Sequence, residues 1–153
     1  MCNVPVVGII MGSASDMPAM KACTDKLDEL EVSYEVIIAS AHRNPAKVQE
    51  WATTAEKRGL KVIIAAAGKA AHLGGVVAAY TALPIVGVPM KTSDLGGMDS
   101  LLSMVQMPTG VPVACVAIGG CANAAIYATQ ILGATDLKYR QKIIDYKKQM
   151  SQA

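Results

Sequence analysis

A chain of 153 residues with 14 Lys and Arg against 12 Asp and Glu carries a formal charge of only +2. No basic stripe interleaves with aromatics, so the composition argues against nucleic acid as the main partner and gives no basis for binding a membrane surface. Apolar residues at 52% with charged ones at 17% suit one domain over residues 1–153 that buries roughly two thirds of its unfolded surface, yet they leave too little charge to cover a small monomer, so self-association is expected.

The cysteines Cys2, Cys23, Cys115 and Cys121 form no CxxC pair. With no secretory leader legible, they read as reduced thiols of a cytoplasmic protein. Residues 70–90 lack Asp, Glu, Lys and Arg, but Gly74, Gly75, Pro84 and Pro89 divide the stretch into a short helix and a strand instead of a membrane span.

In chain order, VPVVGIIM is a β-branched apolar run that suits a strand covered on both faces of a parallel sheet. Further runs of this kind are YEVIIA, KVIIAAA, PIVGVP and VPVACVAI. Between them the spacing turns helical: Met20, Cys23, Leu27 and Leu30 recur at threes and fours, as do Val48, Trp51, Ala52 and Ala55. HLGGVVAAYTAL is apolar all round, which predicts a helix covered on every side, in part by other subunits. A last helix over about 136–150 presents Tyr139, Ile143, Tyr146 and Met150 as a stripe, an arm for its own domain or for a neighbour. The alternation predicts a doubly wound, three-layer α/β/α domain with about five parallel strands, flavodoxin-like in outline, and a C-terminal helical arm.

In such a sheet, ligands sit beyond the carboxyl ends of the strands, so the strand-to-helix turns are where chemistry is expected. MGSASD offers backbone N–H groups and the hydroxyls of Ser13 and Ser15 at a helix start, where Ser15 or Asp16 is either an N-cap or a ligand contact. It is neither a Walker loop nor a three-glycine dinucleotide fingerprint. SAHRNP supplies Ser40, the proton-exchanging imidazole of His42 and the planar fork of Arg43, with Pro45 suited to the first helical turn. AGKAAHLGG brings Gly68, Lys69 and His72, the last as a cap, a core histidine or a site residue. Without a third histidine or clustered acids, a transition-metal site has no support. KTSDLGGMDS reads as a polar loop that either closes over substrates or is an ordinary connection, Met104 and Met107 as packing, and Asn123 as a cap or, failing that, a ligand contact.

Three of these segments, MGSASD, SAHRNP and AGKAAHLGG, followed in order by DSLLSMVQMP, resemble the small carboxylase-mutase family of purine biosynthesis along essentially the whole chain. The resemblance implies an isomerase acting on a small-molecule nucleotide substrate, shifting CO2 from an exocyclic carbamate nitrogen to C4 of the same imidazole. It implies no metal and no organic cofactor, and a homo-octamer with active sites at subunit interfaces. Residue by residue, it makes His42 the general acid/base, Arg43 a phosphate clamp, Ser13 and Asp16 contacts to the ribose and phosphate region, and Ser15, Ser40, Gly68, Lys69 and His72 further substrate-binding positions. Arg43 and His72 match the mutase branch. Lys69 stands where that branch usually has glycine and the related carboxylase, which uses free CO2, has a basic residue; Gly74 replaces a usual proline, and the 119–123 loop is shorter. The carboxylase is thus the alternative within the family, and a non-catalytic nucleotide-binding module the alternative outside it.

Overall fold

A computed structural model describes residues 4–152; Cys2 lies outside the described residues. Five parallel strands, β1 Val7–Met11, β2 Tyr34–Ile38, β3 Val62–Ala67, β4 Ile85–Pro89 and β5 Ala114–Cys115, form one sheet in the order β2-β1-β3-β4-β5. The intervening helices are α1 Met17–Glu29, α2 Pro45–Thr53, α3 Leu73–Tyr80, α4 Met98–Val105 and α5 Cys121–Gly133, with α6 Leu137–Met150 following. This is the flavodoxin-like strand order, in which the chain reverses direction across the sheet between β1 and β3.

Alternation along each strand divides the core into two. Val7, Ile9 and Met11 of β1, with Val62, Ile64 and Ala66 of β3, pack with Met20, Cys23 and Leu27 of α1 and with α5 and α6. Ile10, Ile63, Ala65 and Ala67 point the other way, toward Val48, Trp51 and Ala52 of α2 and toward α3 and Met104 of α4. Two glycines permit close approach on that second face. A Cβ at Gly8 would lie 2.7 Å from Leu60 Cδ1 and 2.8 Å from the Trp51 ring, and one at Gly87 would lie 2.5 Å from Met104 Sδ. Met104 is fully buried, which meets the expectation that it serves packing.

The edge strands depart from the expected two-sided burial. β2 is outermost and leaves Val36 and Ile38 exposed. The long run VPVACVAI yields only two strand residues, because β5 pairs with β4 only at Ala114 and Cys115 before the chain peels away toward Gly119, whose φ is +69°. The apolar helix is also shorter than its sequence, ending at Tyr80 and leaving that side chain exposed. The arm, α6, lies on its own domain through buried Tyr139 and Ile143, with Lys142 paired to Glu31, whereas Met150 is exposed. Burial pushes the Cys23 thiol up to about 12; with Cys115 and Cys121 it is free. Among the described residues, no helix is long and apolar enough to cross a membrane.

Candidate active site

The reversal between β1 and β3 opens a crevice at the carboxyl edge of the sheet, where a cavity of about 530 Å³ lies. Its lining comes from four successive turns: Gly12, Ser13, Ser15 and Asp16 after β1; Ser40, His42 and Arg43 after β2; Gly68 and Lys69 after β3; Lys91, Thr92 and Ser93 after β4. Every expected site residue except His72 therefore borders one space.

Local chemistry explains how each turn is held. Ser13 Oγ accepts from Ser15 N at 3.2 Å and from the Ser15 hydroxyl at 2.8 Å, so the hydroxyl that caps the short turn over 14–16 is Ser13. Asp16 occupies the N-cap position of α1 without making a side-chain cap. Its carboxylate is thereby left facing the cavity, and desolvation by partial burial raises its carboxyl above the ordinary value of 3.8 against the opposing pull of a Ser13 backbone hydrogen bond. After β2, Asn44 Oδ1 accepts from Lys47 N at 3.2 Å and Pro45 opens α2 as expected. Ser40 Oγ accepts from Arg43 N at 3.3 Å, and Arg43 Nη2 donates to Gly12 O at 3.2 Å, which draws the guanidinium across to the β1 turn. Most of its donor fork stays open to a ligand.

The chain's two histidines meet at this edge. His42 Nε2 lies 2.8 Å from His72 Nδ1, with the rings edge-on and their centroids 4.9 Å apart. His72 sits at the N-cap position of α3 but its ring caps nothing, and it reaches the cavity only through His42. The bond needs one proton shared between the two nitrogens, so His42 is oriented by a partner of its own kind.

Three lining residues were missed as individuals: Lys91, Thr92 and Ser93 were legible only as a polar loop. Thr92 Oγ1 lies 2.7 Å from Asp99 Oδ1 and Gly97 N donates to Thr92 Oγ1 at 3.2 Å, which folds the loop back over the start of α4. Lys69 Nζ lies 2.8 Å from Asp94 Oδ2 in the same loop. That contact lifts the Lys69 ammonium above its ordinary pKa and holds Asp94 below its own. Asn123, read as a cap, lies exposed within the first turn of α5, because the helix begins at Cys121. Among the described residues, no three His, Cys, Asp or Glu side chains converge as metal ligands.

A family profile described as AIR carboxylase matches residues 6–153. The chain belongs to that AIR carboxylase family. It is 54% identical over 147 residues to the N5-carboxyaminoimidazole ribonucleotide mutase of Thermotoga maritima, across 96% of this chain and 86% of that protein. It is also 56% identical over 139 residues to the phosphoribosylaminoimidazole carboxylase of Saccharomyces cerevisiae, across 91% of this chain but only 24% of that longer protein. Among solved structures, Treponema denticola PurE superposes with a TM-score of 0.86 at 26% identity, covering 97% of this chain and 92% of that one. The family resemblance carried by the four motifs is thus borne out, and so is the doubly wound fold. Membership in the AIR carboxylase family leaves the choice of reaction within it to the chemistry of the crevice.

Proposed function

We propose that the protein is an intramolecular carboxy-group mutase of purine biosynthesis, converting N5-carboxyaminoimidazole ribonucleotide to 4-carboxy-5-aminoimidazole ribonucleotide. The observation that carries this reading is the meeting of His42 and His72, 30 positions apart in sequence, at 2.8 Å beside a cavity bordered by Arg43. About 530 Å³ is the size of a small-molecule site. Mutase relatives aligning over most of their own length support this reading above that of a carboxylase using free CO2.

Under this proposal Arg43, with Ser13, Ser15 and Ser40 nearby, receives the phosphate, and Asp16 accepts from the ribose hydroxyls. Gly68 lets the backbone approach the heterocycle. His42, as imidazolium, gives its proton to the carbamate nitrogen; the N–C bond breaks and CO2 leaves with no net gain or loss of charge on the pair. C4 then attacks CO2, and neutral His42 takes the C4 proton, which restores both the aromatic ring and the starting imidazolium. His72 Nδ1 accepts from His42 Nε2–H while His42 is charged, so it positions the acid and holds its second nitrogen. One proton goes out and returns, as an isomerisation requires.

Confinement of CO2 is what turns recapture into a nearly unimolecular event, for which effective molarities reach about 10⁵ M. In the single chain His42, Arg43, Lys69 and Lys91 are exposed, so a dry pocket needs further cover. Met98, Leu102 and Val105 of α4, with Leu95 just before it, are exposed apolar side chains that follow the cavity-lining residues Lys91, Thr92 and Ser93 in the chain. This supports self-association in which neighbouring subunits complete each site; under the proposal that assembly is a homo-octamer acting in the cytoplasm. The test is to supply the carbamate nucleotide without bicarbonate and, separately, the uncarboxylated aminoimidazole ribonucleotide with bicarbonate. Fast turnover in the first assay is expected; efficient turnover only in the second would make the protein a carboxylase.

A further inference from the structure

The loop after β4 carries a carboxylate for which the proposed reaction has no use. Asp94 binds Lys69 at 2.8 Å, and both side chains are about two thirds exposed, 65% and 69% respectively. Lys69 itself is backbone-strained, with φ +56°, in a region that favours glycine. An ion pair between two solvated side chains returns little stability, so the bridge does not account for a lysine held in that conformation. The left-handed turn has a second consequence, which is to place Lys69 on the cavity wall.

The loop is anchored at its base. The buried Ser100 hydroxyl reaches Met90 O at 2.5 Å, Thr92 is held by Asp99, and Ser103 Oγ lies 3.5 Å from Lys69 O. Among the described residues, Asp94 has as side-chain partners only Lys69 and the Ser93 hydroxyl, the latter at 3.3 Å. The ammonium at this wall is thus occupied by a weakly tethered carboxylate. Arg43, Ser13, Ser15 and Ser40 gather after β1 and β2; Lys69 and Lys91 lie across the crevice, after β3 and β4. A nucleotide with its phosphate on the first side brings the heterocycle, and whatever carboxylate it bears, toward Lys69.

We propose that Lys69 and Asp94 form an exchange latch, in which Asp94 holds the ammonium while the pocket is empty and the carboxylate of the nucleotide displaces it, so that the pair sets the preference for carboxylated over uncarboxylated ligands. The identity of those ligands rests on the function proposed above. Asp94 acts as an internal competitor, and a ligand without a carboxylate has nothing to offer in its place.

The test titrates 4-carboxy-5-aminoimidazole ribonucleotide and 5-aminoimidazole ribonucleotide calorimetrically into the unaltered protein, Asp94→Asn, Lys69→Ala and the double variant. Asp94→Asn is expected to tighten the carboxylated nucleotide about two- to fivefold, the scale of an exposed ion pair, and to leave the other unchanged. Lys69→Ala should weaken only the carboxylated nucleotide, about tenfold, and should abolish the effect of Asp94→Asn. If Asp94→Asn shifts both nucleotides alike, or still tightens binding once Lys69 is gone, the latch is wrong while the proposed function stands. If the unaltered protein binds neither nucleotide, the proposed function fails and the latch with it.

Discussion

The two edges of the sheet hold similar side chains to opposite ends. At the amino edge Glu35, Arg58 and Trp51 satisfy one another: Trp51 Nε1 donates to Glu35 Oε1 at 2.8 Å, Arg58 Nη2 to the same oxygen at 2.9 Å, and the guanidinium lies over the indole. At the carboxyl edge a carboxylate, a guanidinium and an imidazole, Asp16, Arg43 and His42, border one cavity with His72 behind His42, yet neither Asp16 nor Arg43 is ion-paired among the described residues. A closed knot returns its interactions to the fold. An open set keeps them for a ligand, at some expense in stability.

Substitutions sharpen this contrast. The largest effect is expected at the open edge: His42→Asn should lower turnover by about 10²- to 10⁴-fold, the range of a lost acid/base group, with nucleotide binding and the melting curve nearly unchanged; a binding module would keep its function. Arg43→Ala should raise the KM of the nucleotide by roughly tenfold to a hundredfold with little change in Tm, since among the described residues the guanidinium makes one hydrogen bond, to Gly12 O. Reversing the edges, Glu35→Ala should destabilise by about 1–3 kcal/mol in denaturant titration, because it strips partners from Trp51 and Arg58, with kcat preserved. Loss of kcat without loss of stability there would break the contrast.

The smallest effect is a pH dependence. Partial burial raises the carboxyl of Asp16 above 3.8, so between the unfolded and folded values the native state binds more protons than the unfolded one. Stability therefore falls as pH rises through that window and stays lower above it. Asp16→Asn should remove this fall and raise Tm slightly at pH 7, while weakening the nucleotide. Because Asp16 is only partly buried, the gain is small. A Tm that drops at pH 7 would mean that the carboxylate supports the fold.

Much of this was legible in the sequence because it is local. Strand runs, the threes and fours of α1 and α2, and the Pro45 helix start follow from period and capping, and the turn motifs fall at the carboxyl edge because alternation dictates it. Contacts between distant segments were not legible. Nothing in AGKAAHLGG says that His72 closes on His42, and nothing in KTSDLGGMDS says that Asp94 reaches Lys69. The short β5 and the open face of β2 depend on which strands lie outermost, which an apolar run does not record. Ser13 displaced Ser15 and Asp16 as the cap because a single-turn helix intervenes before α1.

The central claim, that CO2 passes from nitrogen to carbon inside a closed site under control of His42, is tested most directly by isotope retention. Carbamate nucleotide carrying ¹³C in its carboxylate is turned over in unlabelled bicarbonate, and the product is analysed by mass spectrometry. Nearly full retention of the label at C4 is the predicted result. Label diluted to the level of the surrounding bicarbonate in each turnover would contradict it.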